Sequence, residues 1–255
     1  MDTVAERWAQ LEPHVHVFGP EDDRARPTVL LFHGCGGLRP HLPRYAEGAV
    51  EAGWRVVVVD SYAPRNWGRE FTLAFVCTGL RFQGRERAAD VLAAIWGVAQ
   101  RPDVDAATVV LAGWSHGSWA IMDLMTMDVA NAAEAGLRDA PTDALAGVKG
   151  LFLAYPYAGY PALSRNRAWR VRPRTLAVIA RRDHVTSHWA ANRLYERLRE
   201  DGVEVETWSV DATHAFDEPT GIPPMRHDAE LAAESIGRFQ RFLQSIAPQA
   251  ESAAA

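Results

Sequence analysis

The segment Gly113-Trp114-Ser115-His116-Gly117 puts a serine between two glycines, directly after the apolar run Val109-Val-Leu-Ala112 and directly before a stretch of helical character. At a sharp strand-to-helix turn a serine is lifted above the strand end. The turn brings the positions two before and two after it so close that only small residues fit. This pattern makes Ser115 a candidate nucleophile. A serine hydroxyl is a weak nucleophile at neutral pH, and it needs a histidine to take its proton and a carboxylate to orient that histidine.

The elements that must position such groups alternate between strand and helix. An edge strand is expected over 14–18, and buried strands over 28–32, 54–60, 108–112, 148–155 and 175–180. An alternating strand is expected over 203–210. Between them the periodicity predicts helices over 43–52, 85–100, after the serine, 187–200 and 227–246, with 128–147 read as a helix extension and a loop. Residues 61–84 read as a long irregular loop whose aromatics suit a pocket wall. Only the short segment 156–173 is available to cover the site, so no large cap domain is expected. No repeat or linker interrupts the pattern. The chain is read as a single domain over 1–255, with its core at about 14–247 and a frayed tail at 248–255.

In strand-turn-helix sites of this kind the acid and then the histidine follow the serine along the chain. Of the nine histidines, His184, His188, His214 and His227 follow Ser115. His188 and His227 fall at predicted helix starts, where capping or exposure explains them, and His184 adjoins the best acid candidate. His214 remains, in the loop after the last strand, and Asp183 ends the strand before that one. Asp211 and Asp217 compete for the acid role. As near neighbours of His214 they are assigned to steadying its loop and to local backbone hydrogen bonds, respectively.

Composition narrows the classes of function. The 255 residues are 48% hydrophobic and 23% charged, with 27 basic against 32 acidic residues and a net charge of −5. That balance lacks the concentrated basic surface of a nucleic-acid binder. No run has the roughly 18 apolar residues of a membrane span, and Met1–Glu6 has neither a basic region nor an apolar core, so no membrane association and a cytoplasmic location are expected. Cys35 and Cys77 lack the paired spacing of a zinc site and read as two reduced thiols, with a bridge between them as the other possibility. No metal or organic cofactor is expected, and the oligomeric state is not legible.

The motifs HGCGGL (33–38), VVDSYAPR (58–65), GRERAADVLAA (84–94), GWSHG (113–117), RRDHVT (181–186) and THAFDEP (213–219) together resemble the dienelactone hydrolase family, over roughly residues 28–245. The resemblance implies an α/β-hydrolase fold, a mostly parallel twisted sheet with helices on both faces. It also implies a triad of Ser115, Asp183 and His214, with an oxyanion hole formed by the backbone N–H groups of Cys35 and His116. Dienelactone hydrolases proper carry a cysteine nucleophile, and a glutamate where this chain has Gly34. Ser115 and Gly34 therefore direct the expectation from dienelactone to general ester chemistry.

The reading that follows is a serine hydrolase of a small ester, lactone or thioester, working through an acyl-enzyme. Trp67, Phe71, Phe75, Trp114, Tyr155 and Tyr157 are the expected pocket walls. An acyltransferase or cyclase would use the same triad, and a ligand-binding protein could reuse the scaffold without catalysis.

Overall fold

The computed structural model describes residues 1–141 and 143–247, so the tail expected to fray lies outside the described residues. Seven strands form one sheet: β1 Val15–Phe18, β2 Arg26–Phe32, β3 Arg55–Val59, β4 Val104–Trp114, β5 Val148–Ala154, β6 Arg174–Ala180 and β7 Val205–Val210. Their order is β1-β3-β2-β4-β5-β6-β7. β1 pairs antiparallel with β3 at one edge, and the other pairs are parallel. The central strands are apolar at consecutive positions because both of their faces are covered. Leu30, Phe32, Val57 and Leu111 point into one core, and Val29, Leu31, Val56 and Val110 into the other.

The first core is closed by α1 Val4–Leu11, α4 Gly84–Val98, α5 His116–Thr126 and α6 His188–Glu200, and the second by α2 His41–Glu51 and α7 Ala229–Ile246. The sequence reading has no counterpart of α1, although its signals are present. Thr3 and Glu6 form a capping box, and Val4, Trp8 and Leu11 lie on one buried face. Trp8 packs against α4 at Gly97, where a Cβ would lie 2.0 Å from the indole.

Two stretches depart from expectation. Residues 61–84 contain helical turns at Ala63–Arg65, α3 Arg69–Phe71 and a wider turn at Thr72–Val76. The region 128–147 does not extend α5, whose chain turns extended at Met127; among its described residues the one helical turn is Ala132–Ala135. Residues 156–173 contain a single helical turn, at Leu163–Arg165, so no cap domain is built there. Among the described residues no helix is long and apolar enough to cross a membrane.

Candidate active site

Ser115 sits between β4 and α5 with φ 50° and ψ −107°, a conformation that side chains rarely adopt. The two glycines of the motif make it possible. A Cβ at Gly117 would lie 2.1 Å from the Phe32 carbonyl oxygen, and one at Gly113 2.5 Å from the Ser118 amide nitrogen. The turn therefore packs against its own helix and against the end of β2, and it holds Ser115 above the sheet.

Three strand ends meet at this point. His214, in the loop after β7, has Nε2 2.9 Å from Ser115 Oγ and Nδ1 2.6 Å from Asp183 Oδ2. Asp183 follows β6, and its carboxylate also accepts hydrogen bonds from the Val185 and Thr186 amides at 2.7 Å each and from Thr186 Oγ1 at 2.8 Å. Burial works to raise the Asp183 pKa, but the His214 imidazole and these donors outweigh it and hold the carboxyl below its usual range. Asp211 points elsewhere and pairs with Arg182 on the surface.

Asp217 corrects the expectation of local backbone hydrogen bonds, because among the described residues its carboxylate bonds only to distant side chains. It is buried, and it accepts from Tyr155 Oη at 2.7 Å, Tyr45 Oη at 2.9 Å and Trp114 Nε1 at 3.1 Å. These three donors come from three elements distant in sequence, which is why the sequence reading missed the network. It ties the His214 loop to α2, to the elbow and to the end of β5.

The loop Gly34-Cys35-Gly36-Gly37 faces Ser115 from the end of β2, with the Cβ position of Gly34 3.6 Å from Ser115 Cβ. Among the described residues neither the Cys35 nor the His116 amide has a hydrogen-bond acceptor. That leaves two N–H donors beside the serine, one of them at the start of α5.

The two cysteines are bridged, with Cα atoms 5.1 Å apart, which corrects the expectation of two reduced thiols. The helical turns over 69–76 lay Cys77 on the Cys35 loop, a long-range approach that no local pattern encodes. The bond closes a loop spanning 42 residues. Replacing both cysteines by serine is expected to lower the unfolding free energy by about 4 kcal/mol on the loop-closure relation. A shift in the urea midpoint measures this, and an unchanged midpoint would mean that the bridge does not form.

Two cavities flank Ser115, and both are bordered by Cys35 and Cys77. The first, about 300 Å³, is walled by Val76, Trp119, Tyr157, Tyr160 and Val185. The second, about 110 Å³, contains His214, Leu73, Tyr155, Trp114, Ile222 and Met225 at its walls. Of the expected pocket walls, Tyr157, Trp114 and Tyr155 border these spaces, whereas Trp67, Phe71 and Phe75 do not. The three rings stack in a row at 5.1 and 4.9 Å between neighbours, running from Trp67, which packs against Tyr62 and Phe82, out to the exposed Phe75, while Leu73, Val76 and Cys77 face the serine. Among the described residues no group of three or more His, Cys, Asp or Glu side chains could hold a metal ion.

The model of the dienelactone hydrolase family matches residues 14–247. The chain belongs to the dienelactone hydrolase family. As a family member it is an enzyme of the hydrolase type. Solved structures share its fold at low identity. The dienelactone hydrolase-like promiscuous phosphotriesterase P91 from metagenomic libraries is 16% identical, with a TM-score of 0.66 over 92% of each chain. The structure named m3DLH is 17% identical, with a TM-score of 0.72 over 92% of each chain. The esterase Est2 of Thermogutta terrifontis, solved with propionate bound, is 15% identical, with a TM-score of 0.67 over 92% of this chain and 91% of the other. No curated protein matches the chain.

Proposed function

We propose that this protein is a serine esterase acting on small carboxylic esters, lactones or thioesters through an acyl-enzyme, and that residues 14–247 work as one catalytic domain. The observation that carries this reading is the chain of contacts from Ser115 Oγ to His214 Nε2 at 2.9 Å and from His214 Nδ1 to Asp183 Oδ2 at 2.6 Å. Ser115 attacks the acyl carbon as His214 takes its proton, and Asp183 holds the imidazole with its Nδ1–H donating, so that Nε2 is the free base. The Cys35 and His116 amides receive the oxyanion. His214 then returns the proton to the leaving oxygen, and water repeats the sequence to release the acid.

The stereochemistry of the tetrahedral intermediate assigns the two cavities. The leaving oxygen must lie against His214, so the alcohol occupies the cavity bordered by His214, Leu73 and Met225. The acyl group takes the remaining direction, into the space beside Trp119 and Tyr157. A cavity of about 300 Å³ holds a short acyl chain, and carbons beyond it gain none of the roughly 0.8 kcal/mol per CH₂ that burial supplies. The kcat/KM for p-nitrophenyl acetate or butyrate is expected to exceed that for the decanoate by about tenfold, the scale of discrimination by a pocket that a chain overfills. A profile rising steadily with chain length would contradict the assignment.

The Cys35–Cys77 bridge speaks against the cytoplasmic location expected from the first residues, since disulfides persist in oxidising compartments and are rare in the cytosol.

A further inference from the structure

Behind the two amides assigned to the oxyanion lies a buried cation that the reaction scheme does not use. Arg87, on α4, is fully buried and has no carboxylate within 4 Å among the described residues. The nearest acids are otherwise engaged. Asp90 pairs with Arg7 and Arg65, and Asp60 accepts from the Tyr62 and Ala63 amides. Burying a guanidinium without a contact counter-ion is costly, and a packing role would be filled more cheaply by an apolar side chain.

Its hydrogen bonds lead to both oxyanion donors. Nη1 donates to the His33 carbonyl at 2.7 Å and lies 3.1 Å from His116 Nδ1, and Nε donates to Ser61 Oγ at 3.1 Å. The His116 ring is held from its other side, because Nε2–H donates to the Phe82 carbonyl at 2.7 Å; Nδ1 is then the acceptor for Arg87. His33 is fixed in the same way. Its Nε2 accepts from the Ser61 amide at 3.2 Å, so Nδ1–H donates to the Gly34 carbonyl at 2.7 Å. That carbonyl belongs to the peptide whose N–H is the Cys35 donor, and a hydrogen bond to its oxygen polarises the N–H and fixes the peptide plane.

We infer that Arg87 is a positioning residue for the oxyanion hole, one guanidinium that aligns the Cys35 peptide through Ser61 and His33, aligns the His116 peptide through its imidazole, and directs an unpaired positive charge towards the developing oxyanion. The inference rests on the serine-esterase reading. That reading is tested separately by wild-type turnover and by labelling of Ser115 with a fluorophosphonate.

The test compares Arg87→Met and Arg87→Lys with the wild type, using p-nitrophenyl acetate as substrate and the fluorophosphonate to count active sites. A boronic acid that adds to the serine as a tetrahedral anion serves as the transition-state probe. Arg87→Met is expected to lose about 10² to 10³ in kcat per titrated site, the scale of a lost oxyanion donor, with KM within about threefold and boronate affinity falling in parallel with kcat. Arg87→Lys keeps the charge but lacks the planar fork, and it is expected to recover about tenfold over methionine. A purely structural role would reduce the number of titratable sites and leave turnover per site at the wild-type value; that result overturns the inference. Should Arg87→Met fail to fold, the lysine variant alone decides. A fall of about tenfold or more in kcat with a matching loss of boronate affinity supports the assignment, and wild-type turnover per site overturns it.

Discussion

Ser115→Ala is expected to lower the turnover of p-nitrophenyl acetate by about 10⁶-fold, and His214→Ala by a similar factor, because members of such a catalytic unit fail together. Neither change should unfold the protein. The Ser115 side chain ends at the cavities and His214 borders one of them, so their removal leaves the two cores beneath untouched. The double variant should be no slower than either single one. Circular dichroism and the urea midpoint establish the fold, and initial rates measure the loss. Retention of more than a few per cent of activity by folded Ser115→Ala would remove the covalent mechanism.

The second large effect separates the two acids near His214. Asp183→Asn is expected to cost about 10⁴ in kcat, since an amide facing Nδ1 favours the wrong imidazole tautomer. Asp211→Asn removes only a surface pair with Arg182, more than half exposed on both sides, and should leave kcat within about twofold. The sign of the pH effect follows from the lowered Asp183 pKa. Its stabilising contribution is fully present above the unfolded carboxyl value of about 3.9 and is lost only as the pH falls through the lower folded value. The difference in urea midpoint between the wild type and Asp183→Asn should thus stay constant above the unfolded value and shrink only below it. If Asp211→Asn proved the more damaging change, the acid would be wrongly assigned.

Much of the frame was legible because both faces of the central strands are covered. Strands such as Val29–Phe32 and Val56–Val59 read as continuous apolar runs, and glycine-bearing turns mark their ends. Ser115, Asp183 and His214 could be selected because each falls at a strand end, where periodicity stops. What escaped the sequence depends on pairings between distant segments. Asp217 gathers Tyr45, Trp114 and Tyr155 from elements up to 172 residues away, and nothing near it in sequence announces buried donors. Cys35 and Cys77 meet only once residues 69–76 coil over the serine. That coiling also turned Trp67, Phe71 and Phe75 away from the cavities, since a loop of unknown conformation gives no basis for deciding which aromatics face inward. By contrast α1 was readable from Thr3, Val4, Glu6, Trp8 and Leu11.

The central claim is a covalent acyl-enzyme on one serine, and rapid-quench mixing with p-nitrophenyl acetate followed by peptide mass spectrometry tests it most directly. A burst of one p-nitrophenolate per chain is expected, with an acetyl group on the peptide containing Ser115 that disappears as substrate is exhausted. Steady hydrolysis without a burst, and without label on Ser115 even when deacylation is slowed at low pH, would contradict the account.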